Sequence, residues 1–508
     1  MTFDFRIAYK ISKQEVKAMK IKKIILLPVL SLALTGCIQD PSVLESVESA
    51  SSSSAPFSSS ESSVYSDNSD VSSVTDTNSI DESVERSIIT DENGVAQYRD
   101  PSALSHEVPY SRYTTENFIN FKKKMQYFSN KLTDICVSKY SKYNSNFVIS
   151  PLSIEMCLGL AIRAAEGDTR DEILEAFDMD YATFNTNYKL FYNYLEGTTE
   201  NYSGGIISQL LLANSIWIDD GIELKDAGLD ALRDDYYCYS YGVDFDGKNT
   251  EANEAIREFI YQNTKGKINP HMDLSPGTLF VLLNTLYSKG LWYEDGHDLG
   301  SAPITYKFTN QDGTLSNKRL LDGKYYSGKP IVTDSFSAFF TSLYGYRIYF
   351  VKPNDGNNLS ELFDKKAMKY VLDDANIIEQ DDALMERYRT KCIFPEFSAY
   401  SEIDLNEPLS DLGIESLFKG GYCNMGALTD ESVYCSDMKH IASLDVTKKG
   451  MEGAAVTYSA LAGAGIPIED PYTYVRFTFE VTKEFGFIVT SGSGNNVVFS
   501  GIVNNIDR

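Results

Sequence analysis

A run of small residues without proline constrains this chain more than any other feature. In "KKGMEGAAVTYSALAGAGIPIED", residues 448–470, no proline occurs from 450 to 466, and the run lies between two stretches that read as β-structure. It is too rich in Gly and Ala for a good strand and holds too many glycines for a stable helix. Why a fold would keep such a segment long, bland and free of proline is the question it poses. The answer depends on the rest of the chain.

Length and composition allow a large core: the chain has 508 residues and is 43% hydrophobic, enough for two or three domains. The net charge of −26 disfavours nucleic-acid phosphates and anionic lipid as partners and suits a solvated surface. From Met19 the chain reads "MKIKKIILLPVLSLALTGC", a lysine-rich start, an apolar stretch and a small-residue cleavage region, as in an export signal. The apolar run is too short for a spanning helix. Leu34-Thr35-Gly36-Cys37 resembles the bacterial lipobox, which implies lipid on the Cys37 sulfur and cleavage just before it. An ordinary secretory signal that happens to contain a cysteine is the alternative. Residues 1–18 fit neither pattern, so translation is expected to start at Met19. After Cys37, Cys136, Cys157, Cys238, Cys392, Cys423 and Cys435 are scattered without C-x-x-C spacing or neighbouring histidines, so no metal site is expected. Their pairing is not readable from sequence.

Residues 38–112 read as a tether. Their serine-rich acidic text, "ESASSSSAPFSSSESSVYSDNSDVSSVTDTNSIDES", offers too little apolar surface to offset ordering entropy. A coil of about 70 residues would span on the order of 45–50 Å. Order is expected from Tyr113 to Arg508. Phe118, Phe121, Met125, Phe128, Leu132 and Ile135 recur at helical spacing. "NFVISPLSIEMCLGLAIRAAEGDTRDEILEAF" predicts a short strand, a turn at Ser150-Pro151, a buried helix ending near Gly167, and a second helix from Asp168-Thr169. "GIISQLLLANSIWID" and "GTLFVLLNTLYSKGLW" predict long, buried strands, and "TKCIFPEFSAYSEIDLNEPLSDLGIESLF" a strand followed by a helix. The C-terminus reads as alternating β-structure broken by a Gly/Ser turn. The fold class is α+β.

Enzyme chemistry finds no support. Of the four histidines, His106, His271, His297 and His440, the first falls in the tether and the next two in loops. Ser493 in "TSGSGN" has glycines at the wrong offsets for a nucleophile elbow, and "GAGIPIE" lacks the third glycine and following helix of a dinucleotide fingerprint. H-E-x-x-H and a Walker lysine are absent, and Asp219-Asp220 and Asp381-Asp382 read as loop charges.

Across 113–508 several of these stretches resemble the serpin family, in the family's order: "NFVISPLSI", "AAEGDTRDEIL", "LLANSIWI", "FVLLNTLYSKGLW" ending in Trp292, "FPEFS", "LGIESLF", "MKHIASLDVTKKG", and "FTFEV" with "GNNVVFSGIVNN". The resemblance implies a large, mostly antiparallel central sheet of five strands with surrounding helices and an exposed reactive-centre loop, here about 450–470. It also implies a mechanism: a serine protease cleaves the loop, forms an acyl-enzyme, and is trapped when the freed loop inserts into the sheet. Insertion explains the proline-free run, because a central strand needs every N–H. Period two would place Met451, Gly453, Ala455, Thr457 and Ser459 toward the core, and Glu452, Ala454, Val456 and Tyr458 outward with the one charge on the wet side.

By the same resemblance Gly450, Met451, Glu452, Gly453, Ala454 and Ala455 form the loop hinge. Counting forward from Gly450 by the family's usual loop length puts the reactive bond at Ala464-Gly465. Counting back from Phe477 moves it one position on, so the window is Ala462, Gly463, Ala464, Gly465 and Ile466. No Arg or Lys is near, which points to elastase-like proteases first and subtilisin-like ones second. Ser150, Ser153, Asn284 and His440 match the hydrogen-bonded cluster where the sheet strands part, and Trp292 and Gly290 match the upper opening. Three departures from the family pattern stand out. Lys448 replaces a common Glu, leaving the usual ion pair absent or reversed; Met451 replaces Thr or Ser; and Gly453 replaces Ala. Slower insertion and a stoichiometry somewhat above one are expected from them. The implied protein is an irreversible inhibitor that is not an enzyme, needs no cofactor, is monomeric, and touches a membrane only through Cys37 at a bacterial cell surface. A non-inhibitory serpin-fold binding lipoprotein is the alternative. A solute-binding lipoprotein is disfavoured by the lack of a two-lobed repeat.

Overall fold

The computed structural model describes residues 89–507 apart from 92, 293–297, 356, 358, 360–369, 373–379, 382–385, 436–437, 453–472 and 493–495. All of them lie in one compact unit, Ser83–Arg508. Cys37, His297, the hinge residues Gly453–Ala455 and the reactive window Ala462–Ile466 fall outside the described residues.

The first long helix, Glu116–Tyr140, starts where Thr115 caps it, its hydroxyl accepting from the Phe118 amide at 3.3 Å. Phe118, Phe121, Met125, Phe128 and Leu132 form its buried stripe. Ile135 is only half-buried, and Cys136 and Val137 take the expected inward place as the stripe drifts around the helix. After the strand Phe147–Ile149, Ser150 caps the helix Pro151–Ala164, with proline at its first position. This helix is buried on nearly every side because it packs against both the large sheet and the strand Asn496–Val503 of a second sheet. The next helix, Gly167–Ala176, begins at a glycine with φ +55°.

The large sheet runs Ile89–Thr90, Ala96–Arg99, Cys238–Val243, Ile206–Asp219, Phe280–Leu291, Gly450–Glu452, Lys439–Thr447 and Phe397–Asp404, with Gly197–Glu200 also paired to Ile206–Asp219. Only Cys238–Val243 runs parallel to its neighbour Ile206–Asp219; the other pairings are antiparallel. Five long strands make the body, as the resemblance implied, and short segments extend it. A six-stranded sheet holds Phe485–Ser491 and Asn496–Val503. A five-stranded one pairs Thr473–Glu480 in parallel with Glu386–Phe394. The helix Asn249–Asn263 lies over a separate apolar cluster of Trp217, Val243, Phe245, Ile256 and Ile260.

Two expectations are corrected. Order does not begin at Tyr113, because part of the tether drawn over 38–112 belongs to the fold. Ala96–Arg99 pairs with Cys238–Val243, and Arg99 binds Asp226 and, at 2.8 Å, Asp230. His106 is no tether residue either: its ring stacks on Tyr237 at 4.4 Å and its Nδ1 lies 3.1 Å from Glu196. A short strand near the sheet's edge, held by backbone pairing and one buried arginine, needs no apolar run, so the composition gave no sign of it. The second correction concerns the expected single strand before the helix near Asn406. Glu386–Phe394 and Phe397–Asp404 are two strands in different sheets, separated at Pro395, and the helix is short, Asn406–Ser410.

Candidate functional site

The strand Phe280–Leu291 meets the Ile206–Asp219 strand continuously along one edge, from Ser208 opposite Gly290 to Ile218 opposite Phe280. Along its other edge, among the described residues, three are paired: Leu291, Gly290 and Lys289 face Gly450, Met451 and Glu452. Those three in turn pair with Thr447, Val446 and Asp445. The first hinge residues therefore sit as a short strand between two long ones.

Residue type decides this geometry. Gly450 has φ +149°, and a Cβ there would lie 2.2 Å from the Gly290 carbonyl oxygen, so no other residue fits without displacing backbone. Gly290 is also required, since its Cβ would lie 2.8 Å from the Tyr346 ring. Met451 is 1% exposed and joins the main core. Glu452 points to the other face, as period two requires, but it is not simply in water. Its carboxylate lies 3.7 Å from Lys289 Nζ, the Tyr287 hydroxyl donates to it at 3.4 Å, and its side chain is only 17% exposed. Above the hinge, Trp292 donates from Nε1 to the Thr447 carbonyl at 3.0 Å and meets Phe394 edge-on at 5.3 Å. Lys448 does not lack an ion pair; it takes one of reversed sense with Asp298 at 3.0 Å.

Below Glu452 the two long strands stay apart. Among the described residues nothing pairs with the facing edges of Phe280–Ser288 and Lys439–Leu444. A cavity of about 460 Å³ occupies that gap, floored by Cys157, Leu158 and Ala161 and covered by Ile256 and Ile260. His271 also lines it, from a loop.

The polar cluster at the gap is made by Ser150, Ser153, Asn284 and His440. The Ser150 amide donates to His440 Nε2 at 2.9 Å, and the Ser150 hydroxyl accepts from the Ser153 amide at 3.3 Å. Ser153 donates from its hydroxyl to the Asn284 carbonyl at 3.4 Å. Asn284 Nδ2 donates to Asn214 Oδ1 at 2.9 Å, and Asn214 donates to the Tyr236 carbonyl at 2.7 Å. Burial pushes the His440 pKa down to about 4. Its ring is therefore neutral, with Nε2 accepting and the proton on Nδ1. Asn284 Oδ1 is buried and accepts no hydrogen bond. A buried amide oxygen left so costs about 1–3 kcal/mol.

Trp292, Gly290 and the first hinge residues thus gather at the closed end of the gap, while the four polar residues gather along its open part. The sequence reading did not single out Asn214, Tyr287 and Lys289. Asn214 carried a signal, a lone amide inside the apolar run "LLLANSIWI"; Lys289 carried none, since its partner is distant in the chain.

A family profile described as "Serpin (serine protease inhibitor)" matches residues 123–506. Iripin-1 of Ixodes ricinus is 28% identical over 374 residues, covering 71% of this chain and 89% of the tick protein. Among solved structures, the thermophilic serpin tengpin in its native state superposes with a TM-score of 0.61 at 19% identity, covering 76% of this chain and 94% of tengpin. Thyroxine-binding globulin in complex with thyroxine gives 0.60 at 19% identity, covering 76% and 99%.

Proposed function

The chain belongs to the serpin family, and from that premise we propose that it is an irreversible, suicide-type inhibitor of serine proteases, held at a bacterial cell surface by lipid on Cys37. Members of the family are protease inhibitors in the main and not catalysts. The observation that carries the reading is the half-filled seam: hinge residues Gly450, Met451 and Glu452 are seated between two strands, and a gap that no described residue fills continues in line with them.

In the proposed sequence of events a protease serine attacks the carbonyl carbon of Ala464 and forms an ester there. The Gly465 amine leaves with the C-terminal fragment. The cut frees the segment that begins at Gly450 to enter the gap. Continuing the antiparallel register from Glu452, Lys289 and Asp445 brings Thr457 level with both Asn284 and His440. Thr457 shares the core-facing parity of Met451, so its hydroxyl would arrive beside the unpaired Asn284 Oδ1. Roughly a dozen new ladder hydrogen bonds at about 1 kcal/mol each would favour the inserted state by on the order of 10 kcal/mol. Such a gain, released only after cutting, would carry the esterified protease along and distort it before water reaches the ester.

The bait window Ala462–Ile466 contains only small or aliphatic residues, which suits the shallow primary pocket of an elastase-like protease, with subtilisin-like enzymes second. Small polar and glycine residues at Thr457, Ser459 and Gly453 would all fit the gap. A second reading, a non-inhibitory binder, draws on the fold shared with thyroxine-binding globulin and on Met451, bulkier than the Thr or Ser usual in the family.

The experiment is to incubate the chain with an elastase-like protease and run the mixture in boiling detergent. A surviving adduct, with the C-terminal peptide starting at Gly465 or Ile466, is expected. The nicked chain should melt on the order of 10 °C or more above the intact one. Clean cutting with no adduct and no rise in melting temperature would overturn the proposal in favour of the binder.

A further inference from the structure

The five-stranded sheet carries a cationic face that the seam does not use. Along Glu386–Phe394 the residues Tyr388, Thr390 and Cys392 point inward and are buried. Alternation therefore puts Arg387, Arg389 and Lys391 together on the outer face. The parallel neighbour Thr473–Glu480 adds Arg476 directly opposite Arg389, and Tyr474 opposite Arg387; the other neighbour adds Tyr325 opposite Lys391. The Arg389 guanidinium lies 4.1 Å from the Tyr474 ring centre and donates to its hydroxyl at 3.1 Å. Arg476 and Lys391 flank the exposed Tyr325 ring at 5.9 and 5.7 Å. Lys391 is neutralised by Asp322 at 2.7 Å.

Two features set this face apart from a solvated strand surface. Like charges directly opposite each other destabilise a sheet, and Arg389 faces Arg476. They do so in a chain with 72 acidic residues and a net charge of −26, where a carboxylate opposite either arginine would have been the stabilising choice. The aromatic rings hold the guanidinium planes in place without removing their charge.

Position supplies the occupant. Thr473–Glu480 is the strand that the loop runs into, and Gly465 to Thr473 can span at most roughly 30 Å. A protease of roughly 240 residues has a radius of gyration near 18 Å and is about 45 Å across. A protease seated on the Ala464-Gly465 bond would therefore be within reach of this face. We propose that Arg389 and Arg476, framed by Tyr474 and Tyr325, form a second contact that recognises a negatively charged surface of the target protease and speeds its capture. The inference rests on the inhibitor reading and adds to it the charge of the target.

The test compares two serine proteases that cleave after small residues, one with net negative and one with net positive surface charge. Inhibition rate constants are measured with the full chain and its variants at low and high salt. For the negative protease, Arg389→Gln with Arg476→Gln should slow inhibition about 3–10-fold at low salt, leave stoichiometry unchanged, and lose its effect at ~0.5 M salt. The charge-keeping pair Arg389→Lys and Arg476→Lys should retain the wild-type rate, which a purely structural role would not predict. No slowing, or equal slowing with both proteases, would overturn the proposal. So would capture on a heparin column that the Gln pair abolishes while inhibition rates stay the same, since the face would then belong to a polyanionic glycan. Affinity for the negative protease with its nucleophilic serine replaced by alanine reads the encounter alone. A charge-dependent encounter without any trapped adduct would sink the inhibitor reading and spare this face; an encounter indifferent to the Gln pair would sink this face whatever the trap does.

Discussion

The strand Phe280–Leu291 has two edges, and they differ in how much of each is used. Against Ile206–Asp219 the ladder is complete over nearly its whole length. Against the hinge, among the described residues, it covers Gly450 to Glu452, and a cavity lies beyond. Both edges belong to one backbone with the same strand propensity, so the difference is not intrinsic to the strand. It lies in what the rest of the chain supplies as a neighbour. The finished edge is stability already realised; the unfinished edge is stability withheld.

The largest effect is expected from making the unfinished edge impossible to finish. Met451→Arg puts a charge at a core position that is 1% exposed. Cutting should continue while the detergent-stable adduct falls at least tenfold; a wild-type yield of adduct would mean that the hinge does not lead the insertion.

His440 offers the next largest effect, through pH. Its ordinary pKa of 6.5 is pushed down to about 4 in the fold, so the unfolded chain takes up the proton first as pH falls. The contribution of neutral His440 is complete above pH ~6.5 and is lost between ~6.5 and ~4, amounting to up to about 3 kcal/mol. Denaturant midpoints across that range should fall more steeply for the wild type than for His440→Gln; equal slopes would exclude His440 as the source.

At the sheet's far side, Arg99→Ala removes two carboxylate contacts from a side chain that is 8% exposed. A loss of about 1–2 kcal/mol with unchanged inhibition stoichiometry is expected. A raised stoichiometry would show that the outer strand and the seam are coupled. The smallest effect belongs to Lys448→Ala, whose ion pair with Asp298 is about half exposed on both sides. A change below ~1 kcal/mol is expected, read as a shift of the denaturant midpoint.

What could be read in advance follows the range of the interactions. The stripe from Phe118 to Leu132, the Ser150-Pro151 helix start and the apolar strand runs are local patterns, and they fold locally. The seam was legible only through the resemblance, because Gly450 and Gly290 make sense only beside each other. The strand Ala96–Arg99 was invisible, since its partners are backbone groups and two distant aspartates. The like-charged pair Arg389 and Arg476 was also hidden, because parallel pairing of strands far apart in the chain leaves no periodic trace.

The three seated hinge residues have a kinetic consequence. Bringing a free chain end to a distant slot costs closure entropy before any contact rewards it. In the proposed mechanism that search would be finished before the protease arrives, as with a zip fastener whose slider is already engaged. Once the bond were cut, each further step would add one tooth to a row already aligned, and the contest against water would begin with the loop ahead.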